Sequence, residues 1–128
     1  MNILGTHHVA VVCSDDGRSK RFYSEVLGLD VVSEVYRAAR NSYKPDLTLP
    51  DGTQIELFGF PDPPGRPSYP EACGRRHLAF EVADVGVAVA HRGAHGVAVE
   101  PVRVDEYTGK RFTFCADPDG PPLEFYER

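Results

Sequence analysis

The sequence predicts an α+β protein built from two tandem βαβββ modules, with mixed sheets curving into a cup and the helices outside. Three observations carry this. His8 recurs as His77 and Glu56 as Glu124, offsets of 69 and 68 residues (77 − 8 and 124 − 56) in a chain of 128. Each histidine opens an apolar run, His8-Val9-Ala10-Val11-Val12 and His77-Leu78-Ala79-Phe80. Each glutamate lies inside one, a few residues after a Pro-Asp-Gly turn (Pro50 to Gly52, Pro118 to Gly120). Between these landmarks both halves show the same succession of strand, helix and three strands.

The elements follow in order. Residues 9–13 are apolar and β-branched, hence a strand. From Ser14 or Asp15, either able to cap a helix, apolar residues fall at Phe22, Tyr23, Val26 and Leu27, one face of a helix that Gly28 can end. Strands are expected near 30–37, 43–49 and 53–60, with Asp51-Gly52 turning the last two. In the second half, 77–82 is a strand and Asp84 caps a helix carrying Val85, Ala88, Val89 and Arg92. Gly86 and Gly93 weaken that helix. Strands near 97–104, 110–116 and 122–127 complete the repeat. Module 1 thus covers about 5–60 and module 2 about 75–128 of one domain, 1–128. In the connector, 61–74, five prolines within residues 61–70 exclude helix and interior strand and leave a stiff, extended crossing. Neither module buries its sheet face alone, so two must pair.

Composition narrows the partners. A net charge of −5 argues against a general nucleic-acid role. No apolar stretch approaches the ~20 residues of a membrane helix, so no membrane partner is expected. The N-terminus lacks a basic region followed by an apolar core, so no signal peptide is expected. Cys13, Cys73 and Cys115 are widely spaced and odd in number, which reads as reduced thiols in a cytoplasmic protein.

Strand alternation gives the candidate ligands a direction. Val9 and Val11 share one face, and His8 lies opposite with Ala10 and Val12. Ile55 and Leu57 oppose Glu56; Leu78 and Phe80 oppose His77; Leu123 and Phe125 oppose Glu124. If the apolar faces pack under the helices, His8, Glu56, His77 and Glu124 point to the uncovered face. If strands one and four of each module are neighbours, each module supplies one imidazole and one carboxylate. That donor set fits Zn, Ni, Co, Mn or Fe rather than Cu(I), and two carboxylates balance a 2+ charge. A single such His or Glu would read as a surface group; four at matching positions of a repeat point to a metal site. His7, on the face of Val9, reads as a buried or edge histidine, and His91 and His95 as solvent-facing. Arg111, and after it Arg37 and Lys110, are candidates to hold an anionic end of a substrate, against the plainer reading of solvated strand-end bases.

At these residues the chain resembles the vicinal oxygen chelate superfamily, in its glyoxalase I-like branch. The resemblance covers nearly the whole chain: His8-Val9-Ala10-Val11, Arg21-Phe22-Tyr23 with Leu27-Gly28, Ile55-Glu56-Leu57, His77-Leu78-Ala79-Phe80, and Asp117-Pro118-Asp119-Gly120 before Leu123-Glu124. Ser33-Glu34-Val35-Tyr36-Arg37, Arg66-Pro67-Ser68 and Lys110-Arg111-Phe112-Thr113-Phe114 are similar to a small bacterial glyoxalase-like subgroup. The ligand order of bacterial glyoxalase I, His, Glu, His, Glu, falls on His8, Glu56, His77 and Glu124.

The resemblance implies one divalent metal per site, Zn or Ni first and Co, Mn or Fe after them. It implies a lyase or isomerase acting on a small oxygen-chelating substrate, a hemithioacetal (a thiol adduct) or related α-hydroxycarbonyl. Proton transfer would run through a metal-stabilised enediolate, with Glu124 or Glu56 as base and Glu124 preferred. A homodimer is expected, the two halves of a site coming from one chain or from two. The competing readings are a non-catalytic antibiotic-binding dimer of the bleomycin-resistance kind, and another metalloenzyme of the superfamily: an epimerase, a dioxygenase or a thiol transferase.

Overall fold

The computed structural model describes residues 1–128 and divides into two compact units, Met1–Pro64 and Gly65–Arg128. Unit 1 contains β1 (His8–Cys13), α1 (Asp16–Arg21), β2 (Asp30–Arg37), β3 (Ser42–Thr48) and β4 (Gln54–Gly59). Unit 2 contains β5 (Leu78–Val82), α2 (Val85–Ala94), β6 (Arg103–Val104), β7 (Arg111–Ala116) and β8 (Pro122–Glu127). The sheet orders match, β1-β4-β3-β2 and β5-β8-β7-β6. In each, the first and last strands pair in parallel and the other neighbours are antiparallel. Each unit is a βαβββ module, the α+β class that the repeat predicts.

The helix starts follow from capping. Asp15 accepts from Arg18 N–H at 2.9 Å, and Asp84 accepts from Val87 N–H at 3.2 Å. The expected helix to Leu27 is an α-helix only to Arg21. Residues Phe22–Val26 form a π-helical turn, closed by Leu27 N–H to Phe22 C=O at 3.0 Å. The wider turn accommodates adjacent Phe22 and Tyr23, both buried. The two Pro-Asp-Gly turns share their backbone bonding: Gly52 N–H donates to Leu49 C=O and Gly120 N–H to Asp117 C=O, each at 3.0 Å. Gly52 (φ 89°) and Gly120 (φ 99°) occupy the left-handed region that L side chains disfavour.

The expected strand over 97–104 is the one large departure. Only Arg103–Val104 forms a strand, preceded by an isolated bridge from Val99 to Cys115. Pro101 interrupts the ladder because it has no N–H to donate. Glu100 still contributes both backbone groups, its N–H to Phe114 C=O and its C=O to Thr113 Oγ1.

Burial follows the alternation. In unit 1, Val11, Cys13, Leu47, Ile55 and Leu57 are buried with Phe22 and Tyr23. In unit 2, Phe80, Leu123 and Phe125 are buried with Val85 and Ala88 of α2, which packs on β7 and β8. Arg92 of α2 is also buried, its guanidinium 3.5 Å from the Phe125 ring centroid and donating to Ala88 C=O. Burial pulls its pKa down, and burial likewise pushes the neighbouring Cys115 thiol up. Cys13, Cys73 and Cys115 are all free thiols, and no helix is long and apolar enough to cross a membrane.

These buried positions should respond as core. Leu57→Ala, at a site with no solvent exposure, is expected to cost about 2–5 kcal/mol in a urea unfolding series. A cost below about 1 kcal/mol would place Leu57 outside the core.

Candidate functional site

The parallel pairing aligns His8 with Gln54 and Ala10 with Glu56 in unit 1. In unit 2 it aligns Ala79 with Glu124, two residues after His77. Both modules therefore set the glutamate beside the residue two positions after the histidine. With side chains alternating, His and Glu of each module share the face opposite the buried apolar residues. His8 Nε2 lies 4.0 Å from Glu56 Oε2, and His77 Nε2 lies 2.9 Å from Glu124 Oε2.

These pairs suit two ligands of one ion. Donors about 2.1 Å from a metal, at tetrahedral or octahedral angles, stand roughly 3.0–3.4 Å apart, and the two observed separations bracket that. Imidazole nitrogen with carboxylate oxygen is the chemistry of divalent first-row metals. No three or more His, Cys, Asp or Glu side chains are gathered in position to hold an ion. Each pair is thus a candidate two-donor half-site.

The surroundings of the two half-sites differ. In unit 1, Asp46 of β3 stands opposite Glu56. The Lys44 ammonium lies 2.9 Å from Asp46 Oδ1 and 3.3 Å from Glu56 Oε2, and Ser33 Oγ donates to Asp46 Oδ2 at 2.8 Å. Partial burial pulls the Lys44 pKa down, but the hydrogen bonds and charges of Asp46 and Glu56 outweigh it, and the net shift is up. In unit 2 the residue opposite Glu124 is Phe114. Its ring meets His77 edge-on, with centroids 5.2 Å apart. His7 is exposed rather than buried, immediately before the edge strand β1, and its Nδ1 lies 2.9 Å from His8 Nδ1. That contact leaves His8 Nε2 as the nitrogen on the Glu56 side. His91 and His95 are exposed on α2 and its end, as expected.

The three basic candidates are placed differently. Arg37, at the end of β2, donates to Gly59 C=O at 2.8 Å and sits over the rings of Phe58 and Phe60. Phe58 alternates onto the face of Glu56, so Arg37 lies on the ligand side, held by its own partners. Lys110 is exposed in the turn before β7. Arg111 alternates with Thr113 and Cys115, both buried, onto the helix side of the sheet, away from Glu124. Its guanidinium is 2.5 Å from Glu127 and 3.4 Å from Asp84. Glu127 also accepts Val85 N–H at 3.0 Å, so Arg111 and Glu127 fasten the start of α2 to the sheet.

A cavity of about 450 Å³ adjoins the second half-site, lined by connector residues 66–69, 71 and 72, by Arg76, His77, Glu100 and Glu124, and by Arg103, Phe112, Phe114 and Pro122. Lys44, which the sequence offers only as one of several surface bases, and Asp46 and Arg103, which it does not single out, all stand beside the candidate ligands. A signal existed for the first two: the Asp51-Gly52 hairpin sets Asp46 opposite Glu56, and alternation puts Lys44 on the same face. For Arg103 the signal was hidden by a strand shorter than expected.

With this geometry the comparisons are direct. The chain belongs to the Glyoxalase/Bleomycin resistance protein/Dioxygenase superfamily, whose family model matches residues 5–125. It is 58% identical to the uncharacterized protein YaeR of Escherichia coli (strain K12), over 100% of this chain and 99% of that one. It is 52% identical to the uncharacterized protein YwkD of Bacillus subtilis (strain 168), over the whole of both. A 2-epi-5-epi-valiolone epimerase of Actinomyces sp is 30% identical, over 94% of this chain and 78% of that one. Among solved structures, the glyoxalase family protein from Enterococcus faecalis superposes with a TM-score of 0.90 at 45% identity, over 99% of this chain and 100% of that one.

The Arg111–Glu127 contact has a pH signature. Arg111, followed by the Val85 N–H, holds the Glu127 pKa below the ordinary glutamate range. A depressed folded pKa stabilises above the unfolded pKa, and the contribution is lost as pH falls through the folded value. Arg111→Gln should therefore flatten the fall in Tm between about pH 5 and about pH 3. Parallel curves for wild type and variant would contradict the assignment.

Proposed function

We propose that this chain is a divalent-metal-dependent enzyme of its superfamily. It would move a proton next to a carbonyl in a small oxygen-chelating substrate, a hemithioacetal or related α-hydroxycarbonyl, as a lactoylglutathione lyase-like isomerase does. The observation that carries the reading is the repeated half-site, one His and one Glu at the same register on the same face of each module. His8, Glu56, His77 and Glu124 are the proposed ligands of one ion, Zn or Ni before Co, Mn or Fe. Bound there, the ion would supply Lewis acidity toward adjacent substrate oxygens and so acidify the neighbouring C–H.

The residues of the chain divide the remaining work. His8 and His77 offer Nε2 as neutral donors. Glu56 is already engaged by the Lys44 ammonium, which holds its carboxylate in place. Glu124 has an aromatic neighbour and no lysine or arginine within ion-pair distance, only His77, so it is the carboxylate with the fewer ties. It takes the proton on Oε and returns it. Return to the neighbouring carbon is isomerisation; return to the other face of the same carbon is epimerisation. The similarity to an epimerase favours that second outcome as the alternative reading. Arg111 is left out of the substrate contacts because its charge is committed to Glu127.

We also propose a homodimer in the cytoplasm. Its support is the edge strand β2, where Val31, Val32, Val35 and Tyr36 are exposed beside Tyr43 of β3. Light scattering on the purified protein should give twice the chain mass of 14.1 kDa, and a monomer at all concentrations would remove the dimer.

The site is tested by metal analysis after purification without a nickel column. His8→Ala and His77→Ala should each lower bound divalent metal by more than about tenfold, since loss of even an outer-sphere partner costs that much. Glu56→Gln and Glu124→Gln should lower metal content or abolish turnover. Turnover is assayed as hemithioacetal isomerisation with several thiols, alongside epimerisation and catechol-dependent oxygen uptake. Full activity and unchanged metal content in both histidine variants would refute the site.

A further inference from the structure

The cavity of unit 2 joins three kinds of surface. His77, Glu71, Glu100 and Glu124 are its polar and acidic groups, Phe112, Phe114 and Pro122 an apolar wall, and Arg66, Arg76 and Arg103 its cations. The arginines are not equivalent. Arg76 is paired with Glu71 at 2.9 Å and Arg103 with Glu100 at 2.7 Å. Arg66 has no carboxylate within ion-pair distance; its Nη2 donates instead to the carbonyls of Arg75 and Arg76. Those bonds fix the guanidinium beside the cavity without neutralising it. Arg103 alternates onto the Glu124 face, opposite Phe112, and its guanidinium stands 5.1 Å and 5.5 Å from the ring centroids of Phe112 and Phe114. Held against the aromatic wall, and with one Nη engaged by Glu100, it keeps further N–H donors for a planar oxyanion.

A built cation next to an apolar wall selects an amphipathic anion. We propose that this cavity is a binding subsite for a small acid, with its carboxylate or phosphate on Arg66 and Arg103 and its apolar body against Phe112 and Phe114. The substrate end that the chemistry acts on then faces His77 and Glu124. The assignment of that end rests on the reading of the function given above; the subsite itself does not. About 450 Å³ is the size range of a metabolite-sized ligand. Charge-assisted hydrogen bonds give the anion its preference over a neutral twin, and that preference weakens with salt.

The experiment uses phenylacetate and phenyl phosphate as anionic probes and phenylacetamide as the neutral twin, titrated into the full chain by NMR with metal content measured on the same sample. The anions should bind roughly tenfold tighter than the amide, with shifts at Phe112 and Phe114. Arg66→Gln and Arg103→Gln should each erase most of that ratio, and Arg66→Lys, which keeps the charge without the fork, should retain part of it. A preference for phenylacetate assigns a carboxylate and one for phenyl phosphate a phosphate; either supports the subsite. Equal affinity for acid and amide, or an unchanged ratio in both glutamine variants, overturns it. Protein that discriminates the acids but binds no metal keeps the subsite and loses the metal-dependent reading; protein that binds metal but not the acids does the reverse.

Discussion

The candidate site depends on the parallel pairing of the first and last strand in each module. Parallel neighbours cannot be joined by a tight turn, so a long crossover must intervene; here it is a helix and two strands, which separate His8 from Glu56 and His77 from Glu124 in sequence. The pairing then returns each glutamate to its histidine at one fixed offset. A slip of one residue would turn Glu56 or Glu124 into the helix-covered face and bury a carboxylate among apolar side chains. What prevents the slip is the other face. Ile55 and Leu57 in unit 1, and Leu123 and Phe125 in unit 2, are buried almost completely, and Phe80 stacks on Phe125 with centroids 5.8 Å apart. Burial on one face therefore sets the geometry of the candidate ligands on the other.

Once the repeat has supplied two like half-sites, the third strand of each module makes them unlike. β3 brings Lys44 and Asp46 to Glu56, and β7 brings Phe114 to Glu124 and His77. A carboxylate bonded to an ammonium has a charged partner to lose before it can move. One beside an aromatic ring has fewer ties. Two glutamates with the same register thus acquire different surroundings from the neighbouring strand, which would let duplicated residues divide roles that their own sequence context leaves equal.

Much of this was legible because it follows from alternation and turn chemistry. The alternation of His8 and Glu56 opposite apolar faces needs only period-two strands, while the pairing of their strands is supplied by the structure; the capping aspartates Asp15 and Asp84 announce the helices. The departures have local causes. Pro101 cuts the strand expected over 97–104, and adjacent Phe22 and Tyr23 are both buried in a π-helical turn that helical periodicity does not show. Arg111, a candidate to hold a substrate anion against the plainer reading of a solvated strand-end base, is paired with Glu127. Its parity with Thr113 and Cys115, visible in the sequence, already put it on the helix side. Arg103 and Arg66 were beyond reach for another reason: one lies on a strand of two residues, and the other on a connector whose path no periodicity fixes.

That division between strands and connector has a functional logic. The candidate ligands are on strands or at their edges, backed by buried cores, where their positions are determined within narrow limits. The cavity beside His77 and Glu124 is closed instead by residues 66–69, 71, 72 and 76, a segment outside helices and strands and rich in proline. Prolines restrict its backbone and so lower the entropy lost when it holds a ligand, while its side chains carry no core packing that would constrain their identity. On the proposed function, the strands would keep the chemistry constant and the connector would set which molecule reaches it.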